Sequence, residues 1–366
     1  MQSPTWRRLY LGGVVVALAF GALTLITAAL ADLPLRDPDG FLGPSYVRLP
    51  LIGLAMVALD VVPRVVARFA RERDLVAVVR DVLRERLAPR RVGLISLGFG
   101  VFYVCYVSYR NLKSFLPFLR DELHDPWLVE SDRWLAFGSH PGDMLHELLG
   151  TGASAGLLSF VYMAFLPLVP LSLAAALVWG DNVTRGAWYA LALSLNWVLG
   201  TLTYYLLPAL GPIYVEAYRF TDLPDTAVAS LQDGLWRNRV EVMADPFATS
   251  SVHGVAAFAS LHTSITLTAA LLVTMTRMNT LVQWVTWGFF GLTAVATVYF
   301  GWHYVLDLFA GALVAVASVA LARMMVGRAS AASAATGPPR TRGRAVDAFG
   351  ADGTAVSATT ETGATR

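Results

Sequence analysis

An all-α polytopic membrane protein is the fold class this sequence predicts, and three observations predict it. The chain is 56% hydrophobic but only 15% charged, whereas soluble domains carry about 25% charged residues. Apolar runs of about 20 residues recur along it, the length at which an α-helix crosses a bilayer. Arginines gather on alternate connections between those runs, as the positive-inside bias demands of a polytopic chain.

Eight spans are expected, at 9–31, 45–63, 92–109, 153–179, 186–207, 260–276, 281–299 and 302–325. The first is longer than a signal-peptide core and no convincing cleavage site follows it, so it is expected to stay as an anchor. The second is the weakest, because it holds Arg48, Pro50 and Asp60. Segment 68–88, "RFARERDLVAVVRDVLRERLA", puts Leu75, Val79, Val82, Leu83 and Leu87 on one helical face. It fits a helix lying on the anionic inner leaflet and, as well, a solvated charged linker. Arg7, Arg8, the arginines of 64–91, Arg185, Arg277, Arg323, Arg328, Arg340, Arg342 and Arg344 all fall on one side when eight spans are counted. That side is expected to be cytoplasmic.

The organisation expected is therefore two N-terminal helices with a basic segment (1–91), a six-helix core (92–326) and a cytoplasmic tail (327–366). Two extracytoplasmic connections, 110–152 and 208–259, belong to the core. The tail is rich in Ala, Ser, Thr, Gly and Arg without apolar periodicity, which predicts disorder. A single cysteine, Cys105, in an apolar run excludes an intrachain disulfide and a thiolate metal cluster. Lys113 is the only lysine among many arginines, a bias that suggests a high-GC bacterial genome and hence a plasma-membrane location.

Ionisable residues are costly in lipid, so those that open a helix need a reason. Span eight begins "GWHYVLDLFAG" and span six "ASLHTS", which places His303 and His262 at the same outer level. Asp307 follows His303 by four residues and shares its helical face. A carboxylate there can fix the imidazole tautomer and leave the other nitrogen free as a nucleophile. The N–H groups of a helix start, with the Ser260 hydroxyl, suit a phosphate. Together these parts fit phosphoryl transfer at the outer surface; a membrane His–Asp pair also serves proton relays and metal sites.

"ASLHTS" and "HYVLDLFAG" resemble the second and third signature motifs of the type-2 phosphatidic acid phosphatase superfamily, and most of all its inositol-phosphorylceramide-synthase-like (inositolphosphotransferase) branch. The resemblance covers the six spans from about 92 to 325. It implies a six-helix core with an outward-facing site and no metal or other cofactor. It further implies His303 as a nucleophile forming a phosphohistidine, Asp307 as its orienting partner and His262 as general acid. Two departures stand out. Where the family's first motif has lysine and arginine before its proline, this chain has Tyr204 and Gly211 ahead of Pro212, and Ala296 and Thr297 replace a Ser-Arg pair upstream of His303.

A phosphoryl group still needs cations, because its transfer is mostly positioning and electrostatics. "SYRNLKSFLP" offers Arg110 and Lys113 as phosphate-binding residues, although headgroup snorkelling also explains them. Arg237 and Arg239, and the hydroxyls of Tyr204, Tyr205 and Tyr214, are possible substrate contacts. The connection 114–152 reads as amphipathic helix on the outer surface. Its His124, His140, His146, Asp132 and Asp143 show no convincing metal-ligand spacing. His253 reads as a loop residue, with a minor substrate contact left open by its nearness to His262. The function expected is transfer of a phosphoryl or phospho-headgroup between a lipid and a polyol or sugar acceptor. Alternatives are a lipid phosphate phosphatase, a proton-coupled transporter and a non-catalytic lipid-phosphate binder.

Overall fold

The structure, a computed structural model, describes residues 6–37, 43–72, 74–180 and 182–335. Among the described residues there are thirteen α-helices and no strand. They are α1 (Trp6–Ala31), α2 (Ser45–Glu72), α3 (Leu75–Arg86), α4 (Pro89–Leu119), α5 (Asp125–Leu135), α6 (Pro141–Leu149) and α7 (Ala153–Val178). There follow α8 (Val183–Leu206), α9 (Pro212–Val215), α10 (Ala227–Ala244), α11 (Leu261–Met275), α12 (Thr280–Tyr299) and α13 (Val305–Ala335).

All eight expected spans form helices. Six of them (α1, α2, α4, α7, α12 and α13) are long and apolar enough to cross a membrane, so the chain is a multi-pass membrane protein. The other two fall short for separate reasons. Helix α11 is apolar but has only 15 residues, about 22 Å at the helical rise. Helix α8 is long but carries Ser194, Asn196 and Thr201, all buried. It sits inside the bundle, packed on α4, α7, α11 and α13, where those groups find protein partners. Asn196 Nδ2 donates to Thr268 Oγ1 at 3.0 Å and Asn196 Oδ1 accepts from Ser264 Oγ, both across to α11. The main apolar core joins α1, α4, α8, α11 and α13.

Several boundaries move. The 68–88 segment divides: its first part extends α2, and α3 starts at Leu75 with Asp74 capping Ala77 N–H at 3.0 Å. Val78 and Val82 are the buried residues of α3, which packs on α2. Arg86 pairs with Asp60 at 2.6 Å and Arg68 with Glu85 at 2.6 Å. Asp60, the residue that weakened the second span, is thereby compensated. Helix α4 continues to Leu119, so Arg110 and Lys113 lie inside a helix and not in the connection expected from 110. Helix α13 runs on to Ala335, beyond the expected end at 326. The rest of the expected tail, 336–366, lies outside the described residues, as do the arginines at 340, 342 and 344.

Candidate active site between the starts of α11 and α13

Local chemistry sets the two helix starts. Ser260 is the N-cap of α11 and accepts from Thr263 N–H at 3.3 Å, which satisfies one orphan donor of the first turn. His262 follows as the second helical residue. On the other side α12 ends at Tyr299, a short loop carries His303, and α13 begins at Val305. Gly311 lets the two starts meet, because a Cβ at this position would collide with the Ser260 carbonyl oxygen. Without one, α13 lies close enough for Ser260 N–H to donate to the Asp307 carbonyl at 3.0 Å.

The histidines are consequently in direct contact. His262 Nδ1 stands 3.3 Å from His303 Nε2, with ring centroids 5.6 Å apart. His303 Nδ1 stands 3.2 Å from Asp307 Oδ2, which also accepts Tyr304 N–H at 3.0 Å. With Nδ1–H directed at the carboxylate, Nε2 carries the lone pair and receives the His262 N–H. His262 is held in turn by aromatic rings, Tyr162 at 4.7 Å and Phe165 at 4.5 Å. Burial pushes the His303 imidazole down to about 3, and the charge of Lys113 adds to that. Both effects favour the neutral ring, the form in which an imidazole nitrogen can act as a nucleophile.

One flank of His303 is carboxylate-rich and fully engaged. Asp125 and Asp132 lie seven residues apart on α5, one face two turns long, with Leu128 buried between them. Asp132 Oδ1 accepts Val305 N–H, the first amide of α13, at 2.9 Å. Asp125 accepts Leu210 and Gly211 N–H, each at 2.9 Å, and the Tyr304 hydroxyl at 2.9 Å. These contacts clamp an amphipathic helix onto the loop that carries His303. Burial raises the Asp132 carboxyl to about 7, and burial followed by the Asp125 charge raises the Tyr304 phenol. A cavity of about 20 Å³ lies here, lined by Asp132, His140, Glu216, Arg219, His303 and Tyr304 among others.

The opposite flank is cationic. Lys113 is only 8% exposed, and its ammonium lies over the Tyr204 ring at 4.7 Å and the Tyr109 ring at 5.8 Å. Among the described residues no carboxylate pairs with it. One turn back, Arg110 has a buried Nε without a hydrogen-bond partner. The next residue, Ser114, accepts the His253 N–H at 3.1 Å through Oγ. His253 is fully buried and meets Arg239 Nη1 at 3.2 Å. Burial, then the charges of Arg239, Lys113 and Arg110, hold its imidazole well below the usual histidine range.

The structure thus gathers His262, His303, Asp307, Lys113, Arg110 and Arg239 at one end of the helix bundle. Ser260 is fully buried beside them, with its oxygen used as the α11 cap. Tyr204 serves Lys113 through its ring. Tyr205 donates to Leu112 O at 2.7 Å and Tyr214 to Gln232 O at 3.1 Å, so both hydroxyls are spent on backbone. Arg237 is exposed on α10. His140 and His146 bind protein groups, Glu216 at 3.5 Å and Tyr299 O at 2.8 Å. No group of three or more His, Cys, Asp or Glu is placed to hold a metal among the described residues. Sequence reasoning missed Asp125, weighed Asp132 only as an unconvincing metal ligand, and gave His253 no more than a minor substrate contact. The i,i+7 spacing of the two aspartates around a leucine was the available signal.

The altered first motif also has a geometric cause. Gly211 has φ of +102°, and a Cβ there would stand 2.6 Å from the Trp302 carbonyl oxygen. An arginine cannot occupy that position in this backbone, so the cation of the family's first motif has no place there. A family model described as the PAP2 superfamily matches residues 126–321. The match begins within α5, later than the expected 92, and leaves out α4 with its two cations. No curated protein and no solved structure matches. The matched stretch exceeds half of the chain and holds both histidines and Asp307, and the chain belongs to the PAP2 superfamily.

Proposed function

We propose that this protein transfers a phosphoryl group, or a phosphorylated headgroup, from a lipid at the extracytoplasmic face through a covalent intermediate on His303. Membership of the superfamily makes it a membrane phosphatase or phosphotransferase acting on a lipid or phosphate ester. The observation that carries the finer reading is the relay Asp307 Oδ2–His303–His262, at 3.2 and 3.3 Å. In the first step Nε2 of His303 forms a bond to phosphorus as the bond to the lipid oxygen breaks, and His262, made imidazolium by the anionic phosphoryl group bound against it, gives that oxygen a proton and is left neutral. Asp307 holds the Nδ1 proton and supports the positive imidazole that results. In the second step an acceptor hydroxyl attacks phosphorus, the N–P bond breaks, and His262 takes the acceptor's proton. The charge of Lys113 is felt at both imidazoles and would stabilise the charge on the phosphoryl oxygens. The rings touch now, so a bound phosphoryl group must part them. The arginine-rich connections favour the outer face for this chemistry.

The missing first-motif cations and the SLH turn favour transfer to a polyol or sugar, as in the inositolphosphotransferase branch. Hydrolysis is the second reading, and the cavity beside His303 favours it, because about 20 Å³ admits a single water and no sugar ring. The test is to incubate full-length purified protein with labelled lipid phosphates, with and without polyol acceptors. His303→Ala and His262→Ala are compared with wild type. A labelled protein adduct, stable to alkali and labile to acid, is expected in wild type and absent from His303→Ala. Phosphate release identifies hydrolysis and a new phosphodiester lipid identifies transfer. Turnover persisting in His303→Ala would falsify the covalent route.

A further inference from the structure

Unpaired cations gather round one buried ring. His253 Nε2 can accept from Arg239 Nη1 at 3.2 Å, while the ring's own N–H is met by the Val255 backbone. The ring is satisfied, but the cations about it are not. Arg110 stands one helical turn before Ser114, which accepts the His253 backbone N–H, and has a buried Nε with no partner. Among the described residues no carboxylate pairs with Arg110, Lys113 or Arg239. The acid bearing on Arg239 is Asp125, whose oxygens are already held by two amides and a phenol. Two helices, α4 and α10, therefore bring unpaired cations to His253, and an anion is what they lack.

The catalytic histidines are separate from this place. Lys113 bears on His262 and His303, whereas Arg110 and Arg239 bear on His253 together with Lys113. Ser114, the neighbour of Lys113, touches His253. Lys113 is the hinge between two anion sites.

We infer that Arg239, His253 and Arg110 form a second anionic subsite, adjoining the phosphoryl site through Lys113, which holds a phosphate that is not the one attacked by His303. This deepens the proposed function and rests on it for the identity of the first site. The second phosphate belongs either to the same substrate, as a diphosphate headgroup, or to a separate phosphorylated molecule bound alongside.

Binding to full-length His303→Ala protein tests the subsite without turnover, so it can fail while the covalent reading stands. The probes are pyrophosphate and inorganic phosphate, followed by calorimetry. Pyrophosphate is expected to bind at least about tenfold tighter than phosphate, and adding Arg239→Ala is expected to bring that ratio below about two. Arg239→Lys should restore part of it, which a misfolded variant would not. Equal binding of the two probes, or a ratio unaffected by Arg239→Ala, overturns the inference. Turnover by otherwise wild-type protein then separates the sources. If a lipid diphosphate outcompetes a lipid monophosphate and Arg239→Ala cuts that preference about tenfold, the second phosphate is the substrate's own. If free phosphorylated polyol lowers KM for the monophosphate lipid, and Arg239→Ala abolishes the effect, it arrives separately. Neither response would overturn the subsite as part of this reaction.

Discussion

The two flanks of His303 are both built from buried ionisable residues, carboxylates on one and cations on the other, and they differ also in what those residues touch. On the α5 flank every carboxylate oxygen that matters is used: Asp125 by two amides and a phenol, Asp132 by the first amide of α13. On the α4 flank the cations are left over: the Lys113 ammonium lies over aromatic rings, Arg110 Nε is bare, and Arg239 meets a neutral imidazole and no carboxylate. A buried group that is satisfied holds the fold, whereas one left unsatisfied costs stability and is kept for a ligand. The engaged flank is thus the frame that fixes His303, and the unengaged flank is the one the proposed function gives to phosphate.

That contrast can be broken by mutation, and the largest effect belongs to the residue between the flanks. His303→Ala should lower kcat/KM by at least about a thousandfold, as measured by phosphate release or lipid product. Asp307→Asn follows, with a loss of about 10²–10⁴-fold. The amide can present the wrong group to Nδ1 and turn the lone pair away from the substrate. If Asp307→Asn keeps wild-type kcat, the carboxylate orients nothing.

Lys113→Met separates the flanks most directly, because activity and stability should move in opposite directions. Loss of the cation is expected to lower kcat/KM by about 10²–10³-fold. Replacing a buried, unpaired ammonium with an apolar chain of similar shape should also raise thermal stability, by roughly 1–3 kcal/mol. A frame residue behaves otherwise: Asp125→Ala strands three donors and should lower both. A fall in melting temperature for Lys113→Met would place Lys113 in the frame.

Much of the site could be read from the chain because its parts are local. His303 and Asp307 are one helical turn apart, and Ser260 caps the helix that carries His262. Gly311 stands at the spacing that lets α13 approach that cap. The cations were harder to place. Nothing local shows that α4 runs ten residues past Tyr109 and buries Lys113, since a basic residue at the end of an apolar run looks the same whether it snorkels or turns inward. His253 was only half legible, from its nearness to His262, and for another reason. Its importance comes from Arg239, on α10, and Ser114, on α4, which only the tertiary fold brings to it. Helix α8 shows the same limit: its buried asparagine makes sense only once α11 stands opposite.

The smallest expected effect concerns the frame and its dependence on pH. Asp132 is raised above the usual carboxylate range to about 7, chiefly by burial, so the fold favours its protonated form. The sign follows from linkage: its contribution to stability is complete below pH 4, its unfolded value, and is lost as pH climbs through 7. Above that point an ionised carboxylate sits next to Asp307 and Glu216, both of which disfavour it. Asp132→Asn keeps an acceptor for Val305 N–H and cannot ionise. Melting temperatures of the two proteins should therefore agree near pH 4 and diverge by pH 8, with wild type lower by a few °C, corresponding to about 1 kcal/mol. Parallel curves across that range would mean that Asp132 ionises freely, and that its hold on the first turn of α13 is loose enough to admit water.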